Sequence, residues 1–491
     1  MIRPARWVVS MSLAMLAGCD LAPVYDPPHF VVPDSYQGSG AFHVARPDDG
    51  LSRGDWWVLF NDPQLNALEQ QLMSANPTLQ AAAETYTQAR ALAAEAQSGL
   101  YPQVAAQAQS SYNRESAHRL FGTSTVAEEA SSNQIGAAAT WEPDFWDAIR
   151  NSAHAQKRLA QASAADLATA RLSLQAELAN DYIAVRGLDA ELEVLRETIE
   201  TYQKAVDVAR LRTEGQIASG LDLARSLSEL KVAQAQETET ALQRDLMQHA
   251  VAVLIGAISS SFTIQAAKEF ELKPPPLPPE IPSELLQRRP DIASAERQMA
   301  AANASIGVAR AAFYPHIVFG GNAGFEDTAL RLLSLPNSLW SIGADATLPL
   351  FEGGLRRAQL LHAQSQYAQT RDNYRATVLG AFQDVEDGLS LSQRLATEVA
   401  QQQEASDQAT QALSISTMLY NDGLDDYLNV AVAQEQALTV RTSEVQLQIR
   451  ELQASVSLIR ALGGGWSVQA LPNERQTLPF GPLDYRDRAT P

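Results

Sequence analysis

The sequence predicts a mainly α-helical chain, built as a tandem repeat, that carries part of a transmembrane β-barrel at one end of a long helical body. Three observations predict it. The chain repeats itself internally, each repeat holds a proline-free stretch far longer than a globular helix, and each holds two short segments in which apolar and polar residues alternate. Ala, Gln, Leu, Ser and Glu dominate and aromatics make up only 7%, which favours long helices packed through small side chains.

The duplication is direct. "NPTLQAAAETYTQARALAAEAQSGLYP", residues 76–102, aligns without a gap on "RPDIASAERQMAAANASIGVARAAFYP", residues 289–315, at an offset of 213. Further on, "ATWEPDFWDAIRNSAHAQ" mirrors "ATLPLFEGGLRRAQLLHAQ", and "LRTEGQIASGLDL" mirrors "LYNDGLDDYLNV". Between the halves lies "ELKPPPLPPEIP", residues 271–282, whose prolines forbid helix and keep the linker extended. The expected organisation is a signal peptide at 1–18, an N-terminal extended segment at 19–61, a first repeat at 62–270, the linker, a second repeat at 283–466 and a tail at 467–491.

Each repeat reads as a helix, two strands, a very long helix, a tight turn and a return helix. No proline falls between Trp146 and Leu272 or between Phe351 and Leu471. Continuous helices over 147–214 and 352–422 would each extend about 100 Å. Leu188, Leu192, Leu195, Ile199, Tyr202, Val206 and Ala209 keep alternating steps of four and three, a coiled-coil seam. Leu438, Thr442, Val445, Ile449, Leu452, Val456 and Ile459 do the same in the second repeat. The return helices, near 217–255 and 424–462, are shorter; leading helices at 62–98 and 283–312, stacked end to end with them, would make up the length.

The strands are expected at 102–113, 132–142, 315–325 and 338–349. After Pro315, Ile317, Phe319, Gly321, Ala323 and Phe325 alternate with polar residues or glycine; Trp340, Ile342, Ala344, Ala346 and Leu348 do so most cleanly. Segments of about ten residues with one apolar and one polar face suit a transmembrane barrel. Four strands cannot close one, and an open edge in lipid leaves backbone groups unpaired at several kcal/mol each. Copies of the chain must therefore share a barrel. Pro102 and Pro315 mark the level at which helix gives way to membrane-embedded sheet, because proline ends a helix and lacks a donor.

Arg3 and Arg6 precede an apolar run from Trp7 to Ala17 that is too short to span a bilayer and reads as a signal peptide. Its end, "LAGC", resembles the lipobox of bacterial lipoproteins and makes Cys19, the sole cysteine, the expected lipidated residue. With one cysteine no disulfide forms within the chain. Asp20 follows it, and aspartate there retains enteric lipoproteins at the inner membrane. The net charge is −20, or −22 once Arg3 and Arg6 leave with the signal, which excludes nucleic acid as an expected partner.

"LLQRRPDIASAERQMAAANASIGVARAAFYP", "LPLFEGGLRRAQL", "LYNDGLDDYLNVAVAQEQAL", "ALGGGW" and the early "GCDLAPVYDPP" and "WWVLFNDPQLNALEQQLMSANPTLQAAA" together resemble the outer-membrane factor family of TolC-like exporters, specifically its NodT-type lipoprotein branch. The resemblance covers nearly the whole mature chain. It implies a homotrimer whose four strands per chain make one twelve-stranded barrel, continued by a helical barrel through the periplasm. It implies a passive duct in a tripartite efflux system, exporting drugs or other toxic small molecules, with a periplasmic adaptor and an inner-membrane transporter, expected to be of resistance-nodulation-division type, as partners. It implies localisation in the outer membrane with its lipid, which outweighs the hint from Asp20. The rival reading is a lipid-anchored periplasmic helical scaffold without a pore, which predicts no barrel strands.

In that architecture the turns around Gly215 and Gly423 lie at the periplasmic entrance and meet the adaptor, and each glycine allows the tight turn itself. Tyr420, Asp422, Asp425 and Asp426 are the candidate gate residues. Repeated about a threefold axis, these like charges would crowd a narrow opening, where cations or hydrogen bonds bridge them. Some relatives carry an arginine just before the tip tyrosine and an aspartate just before the following "AQ"; here these are Leu419 and Val432, so a gate locked by that charge pattern is not expected. The histidines, His29, His43, His118, His154, His249, His316 and His362, show no metal-ligand spacing, and no cofactor or catalytic constellation is expected.

Overall fold

The computed structural model describes residues 20–28, 55–116, 128–267, 272–275 and 288–484. The expected signal peptide, Cys19, most of the Pro-rich linker and the end of the tail lie outside the described residues, as do His29, His43 and His118.

Seven α-helices and four strands occur in the described residues, in the order α1 (Pro63–Ala75), α2 (Pro77–Ser98), β1 (Gln103–Glu115), β2 (Glu128–Trp141), α3 (Ala148–Glu214), α4 (Gly220–Leu254), α5 (Pro290–Ala311), β3 (His316–Asp327), β4 (Ser338–Thr347), α6 (Leu355–Asn421) and α7 (Tyr427–Ala461). Helices α3 and α6 each hold 67 residues, about 100 Å of continuous helix. No described helix is long and apolar enough to cross a membrane.

The leading segment 62–98 is two helices rather than one. Asn76 is extended, its Oδ1 accepts from the Leu79 amide, and Pro77 occupies the first helical position, where proline suits the start of a helix. The amide Nδ2 of this buried side chain donates to the carbonyl of Leu254, the last residue of α4. One side chain thus starts α2 and finishes α4. Arg289 stands at the matching position of the second repeat and does the equivalent, donating to the carbonyl of Ala461 at the end of α7 while binding Asp291 and Asp384. Leading and return helices therefore run end to end; those of the first repeat flank α3, and those of the second flank both α6 and α3.

The coiled-coil seams are buried where the pattern places them: Leu192, Leu195, Tyr202, Val206 and Ala209 on α3, Val445, Leu452, Val456 and Ile459 on α7. The largest apolar core lies where α1 and the short helix Trp56–Phe60 cover α3, with Trp56, Trp57, Leu65, Leu72, Tyr182 and Ile183 buried together.

The strands form one antiparallel sheet in the order β1-β2-β3-β4. The register puts Ala106 opposite Ala137, Ala137 opposite Ala323 and Ala323 opposite Trp340. It likewise joins Val104, Ala139, Gly321 and Ile342 in a row, so the apolar residues of all four strands share one face. The offset row of Gln103, Thr140, Gly320 and Gly343 lies on the other. Within the chain that apolar face is bare: Val104 is 71%, Trp340 76% and Ile342 81% exposed. Among the described residues β1 and β4 are each paired on one side only.

Candidate entrance turns and barrel junction

At the far end from the sheet, α6 stops at Asn421 and the chain turns back. The Gly423 amide donates to the Tyr420 carbonyl and the Leu424 amide to that of Leu419. This is a Schellman closure, which needs a left-handed residue at its centre, and Gly423 supplies it at φ +75°. The first turn closes the same way, with Gln216 donating to Thr213 and Ile217 to Arg212. There the glycine is not the left-handed residue: Gly215 has φ −74° and Gln216 has φ +58°. Helix α3 ends at Glu214, so the position two beyond it falls on glutamine.

The acidic residues at the second turn serve local ends. Asp426 caps α7, its carboxylate accepting from the Asn429 amide, while Asp425 Oδ1 accepts from the Asp426 amide and from Asn429 Nδ2 at 2.7 Å. Asp422 is the residue at which α6 terminates. Tyr420 is placed differently. It is buried, lies edge-on to Tyr427 at 5.5 Å, and packs with Val430 and Ala431 against Ala205 and Val208 of α3. The Arg212 guanidinium sits 4.3 Å from its ring centroid and donates to the Asn421 carbonyl at 2.8 Å. A cation over an aromatic face and a charge-assisted bond to a helix C-terminus both favour this pose. Arg212 thus ties the two turns of one chain together.

Sequence reading missed Arg212, although the aligned "LRTEG" and "LYNDG" place it at the position equivalent to Tyr420. Leu419 and Val432 stand 36% and 59% exposed and supply no charge. Above the turns, burial together with the nearby Glu229 carboxylate raises the Tyr427 and Tyr202 phenols far above their usual range. Burial and Glu435 in turn raise Glu229.

At the opposite end, β1 and β3 begin directly after Pro102 and Pro315. Aromatic rings gather there. Trp146 stacks on Tyr314 at 4.7 Å and donates to the Pro315 carbonyl at 2.9 Å; Trp141 stacks on Phe319 and donates to the Leu100 carbonyl. A belt of this kind suits the boundary between water and hydrocarbon. His316 meets Glu142 and His154 meets Glu474; among the described residues no group of three or more His, Cys, Asp or Glu is placed to hold a metal.

Comparison with known proteins agrees with this geometry. The chain matches the family described as outer membrane efflux protein over residues 68–257 and 281–464, once per repeat. It is 29% identical to the outer membrane protein OprJ of Pseudomonas aeruginosa over 470 residues, 95% of this chain and 97% of that one. It is 28% identical to the probable outer membrane lipoprotein SilC of Salmonella typhimurium over 462 residues, 93% and 97% of the two chains. The CmeC outer membrane channel of Campylobacter jejuni superposes with a TM-score of 0.86 over 94% of this chain and 99% of that one, at 22% identity, and so supports the fold. The four-stranded sheet is one chain's share of a barrel set on a helical barrel, and such proteins are non-enzymatic ducts that work as trimers with an adaptor and an inner-membrane transporter. The chain belongs to the outer membrane efflux protein family, as the outer-membrane channel of a tripartite efflux pump.

Proposed function

We propose that this chain is a lipid-anchored duct, acylated on Cys19, that receives small molecules from a transporter of the resistance-nodulation-division type. Cargo enters between the turns at 215–219 and 422–426, where the adaptor docks. The observation that carries the reading is the four-stranded sheet with two unpaired edges and a bare apolar face, joined through aromatic rings to two 67-residue helices. Lipid must cover that face and neighbouring copies must pair those edges. The transporter class rests on the resemblance to the lipoprotein branch.

Acylation is supported from the described side of the junction. Asp20 bonds Asn151 in the first turn of α3, directly below the aromatic belt. An acyl group on the residue before it would enter the leaflet where the sheet begins. In the resting entrance Tyr420, Asp422, Asp425 and Asp426 narrow the opening. Their local bonding leaves Tyr420, held by Arg212, as the group whose movement must accompany opening, since Asp426 is occupied as a cap and Asp425 by the Asp426 amide and the Asn429 side chain.

Electron microscopy of the detergent-extracted mature protein tests the duct. A hollow threefold particle about 130 Å long is expected, from about 100 Å of helix plus strands of about ten residues; slender monomers without a ring-shaped end view would replace it with the poreless scaffold. Conductance of the purified channel tests the entrance. Arg212→Ala is expected to raise it and Asp425→Ala with Asp426→Ala to change it less, and the reverse order would move the gate to the aspartates.

A further inference from the structure

Residues 20–28 are described apart from the rest of the N-terminal segment, and their contacts follow a register. The Leu21 carbonyl accepts from Arg310 Nη1 at 3.1 Å, the Pro23 carbonyl from Asn303 Nδ2 at 2.8 Å, and the Tyr25 hydroxyl donates to Glu296 Oε1 at 2.6 Å. Alternate residues of this segment thus meet positions spaced by seven on α5, running antiparallel to it. Seven residues are close to two helical turns, so the three partners lie on one face. Val24, between the bonded residues, points outward at 95% exposure.

The upper end is fastened to the other repeat. Asp20 Oδ1 accepts from the Ala22 amide at 2.9 Å and from Nδ2 of Asn151 at 3.0 Å. Asn151 belongs to α3 and is buried. The lower end reaches a third helix, for Tyr25 packs on the cluster of Ile292, Met299, Tyr374 and Val378 shared by α5 and α6. The backbone of α5 is shaped to admit the segment: a Cβ on Gly307 would stand 2.6 Å from Asn151 Nδ2 and 2.9 Å from the Ala22 Cβ.

The two leading helices show what the segment does. Within one chain α2 has only Leu79 and Ala93 buried, whereas α5, its counterpart, buries most of its length, including Asn303, Ala304, Ile306 and Gly307, and leaves Gln298 exposed. A helix buried on several sides needs a cover on each of them. α3 and α6 supply two, and residues 20–25 supply the third.

We propose that residues Asp20 to Tyr25 act as a clip that locks α5 to α3, and so the second repeat to the first, directly below the barrel, with Asp20 as its positioning residue through Asn151. The clip stands on the described bonds alone and does not depend on acylation. An aspartate placed directly after the expected lipid site then has a structural reason to be there. Its carboxylate receives two donors that an alanine could not satisfy and that an asparagine Oδ1 could.

Hydrogen exchange on the full-length detergent-extracted trimer tests this. Asp20→Ala and Asn151→Ala should each speed exchange of the α5 amides 300–310 at least tenfold, with the double variant no faster than either single one. Asp20→Asn should keep wild-type protection, and the turn at 422–426 should be unaffected in every variant. Gly307→Ala, whose Cβ would crowd both Asn151 Nδ2 and the Ala22 side chain and so displace the clip without altering Asp20 itself, should reproduce the α5 signature. The same pattern is expected in a Cys19→Ala background, which separates the clip from the lipid. Absence of trimers in Asp20→Ala where Asp20→Asn yields them carries the same meaning as fast exchange. Unchanged α5 exchange in Asp20→Ala, Asn151→Ala and Gly307→Ala would overturn the proposal.

Discussion

The two repeats share one plan and differ at three joints. At the splice between leading and return helix, the first repeat uses a neutral amide, Asn76, and the second a charged guanidinium, Arg289. At the tip, the first places glutamine and the second glycine in the left-handed position. Within one chain the leading helix of the first is largely exposed, while that of the second is covered by the chain's own N-terminal segment. The elements were kept after duplication and the ends were rebuilt. The difference teaches that in a tube of stacked helices the packing faces repeat, whereas the helix termini, with their orphan amides and carbonyls, answer to whatever lies next to them.

The splices should show the largest effect. Arg289→Ala removes the partner of Asp384, Asp291 and the Ala461 carbonyl and is expected to cost about 2–4 kcal/mol, less than a fully buried pair because Asp384 is half exposed. Asn76→Ala loses a cap and leaves the buried Leu254 carbonyl unpaired, at about 1–3 kcal/mol. Heat-induced loss of the trimer, followed by gel mobility, ranks the two. Equal losses would mean that the charge at the second splice adds nothing.

Next comes Glu69 on α1, a helix that caps the first repeat. Its carboxyl is fully buried, both oxygens lack partners, and burial pushes it up to about 9, against a weaker pull from Arg171. An acid whose folded value is raised is bound to its proton in the native state and releases it on unfolding. Its contribution is therefore best below the usual carboxylate range and is lost as pH rises from about 4.5 towards about 9. Glu69→Leu should raise stability by about 1–3 kcal/mol and more at pH 8 than at pH 5. A pH-independent gain would show that the carboxyl does not titrate in this window.

The smallest effects lie at the tips. Gln216→Gly should relieve the positive φ and stabilise the first turn by about 0.5–1 kcal/mol, while Gly423→Ala should strain the second by about 1–2 kcal/mol. Opposite signs for the two substitutions in thermal unfolding confirm the asymmetry, and matching signs would remove it.

Much of this was legible because it is periodic. The seam on α3, the strand alternation of Trp340 and Ile342 and the offset of 213 all recur, and recurrence survives without knowledge of any contact. The break at Asn76 was also legible in kind: asparagine before proline is a helix start, though the apolar pattern running across it reads as one helix. Tyr420 was legible as a tip residue, but its contact with Arg212 was not, because a cation over a ring leaves no trace in either residue's neighbours along the chain.

The sequence by itself determined the duplication, the long helices, the paired strands and hence the family, since local period dictates secondary structure and the apolar faces dictate what must be covered. Only the tertiary structure decided how the ends meet: Asn76 on the carbonyl of Leu254, Arg212 on Tyr420, Asp20 on Asn151. These contacts join single side chains far apart in the chain, 178 residues for the first and 131 for the last. No repeating pattern encodes such a bond, which exists only once the packed helices have brought its two partners to the same place.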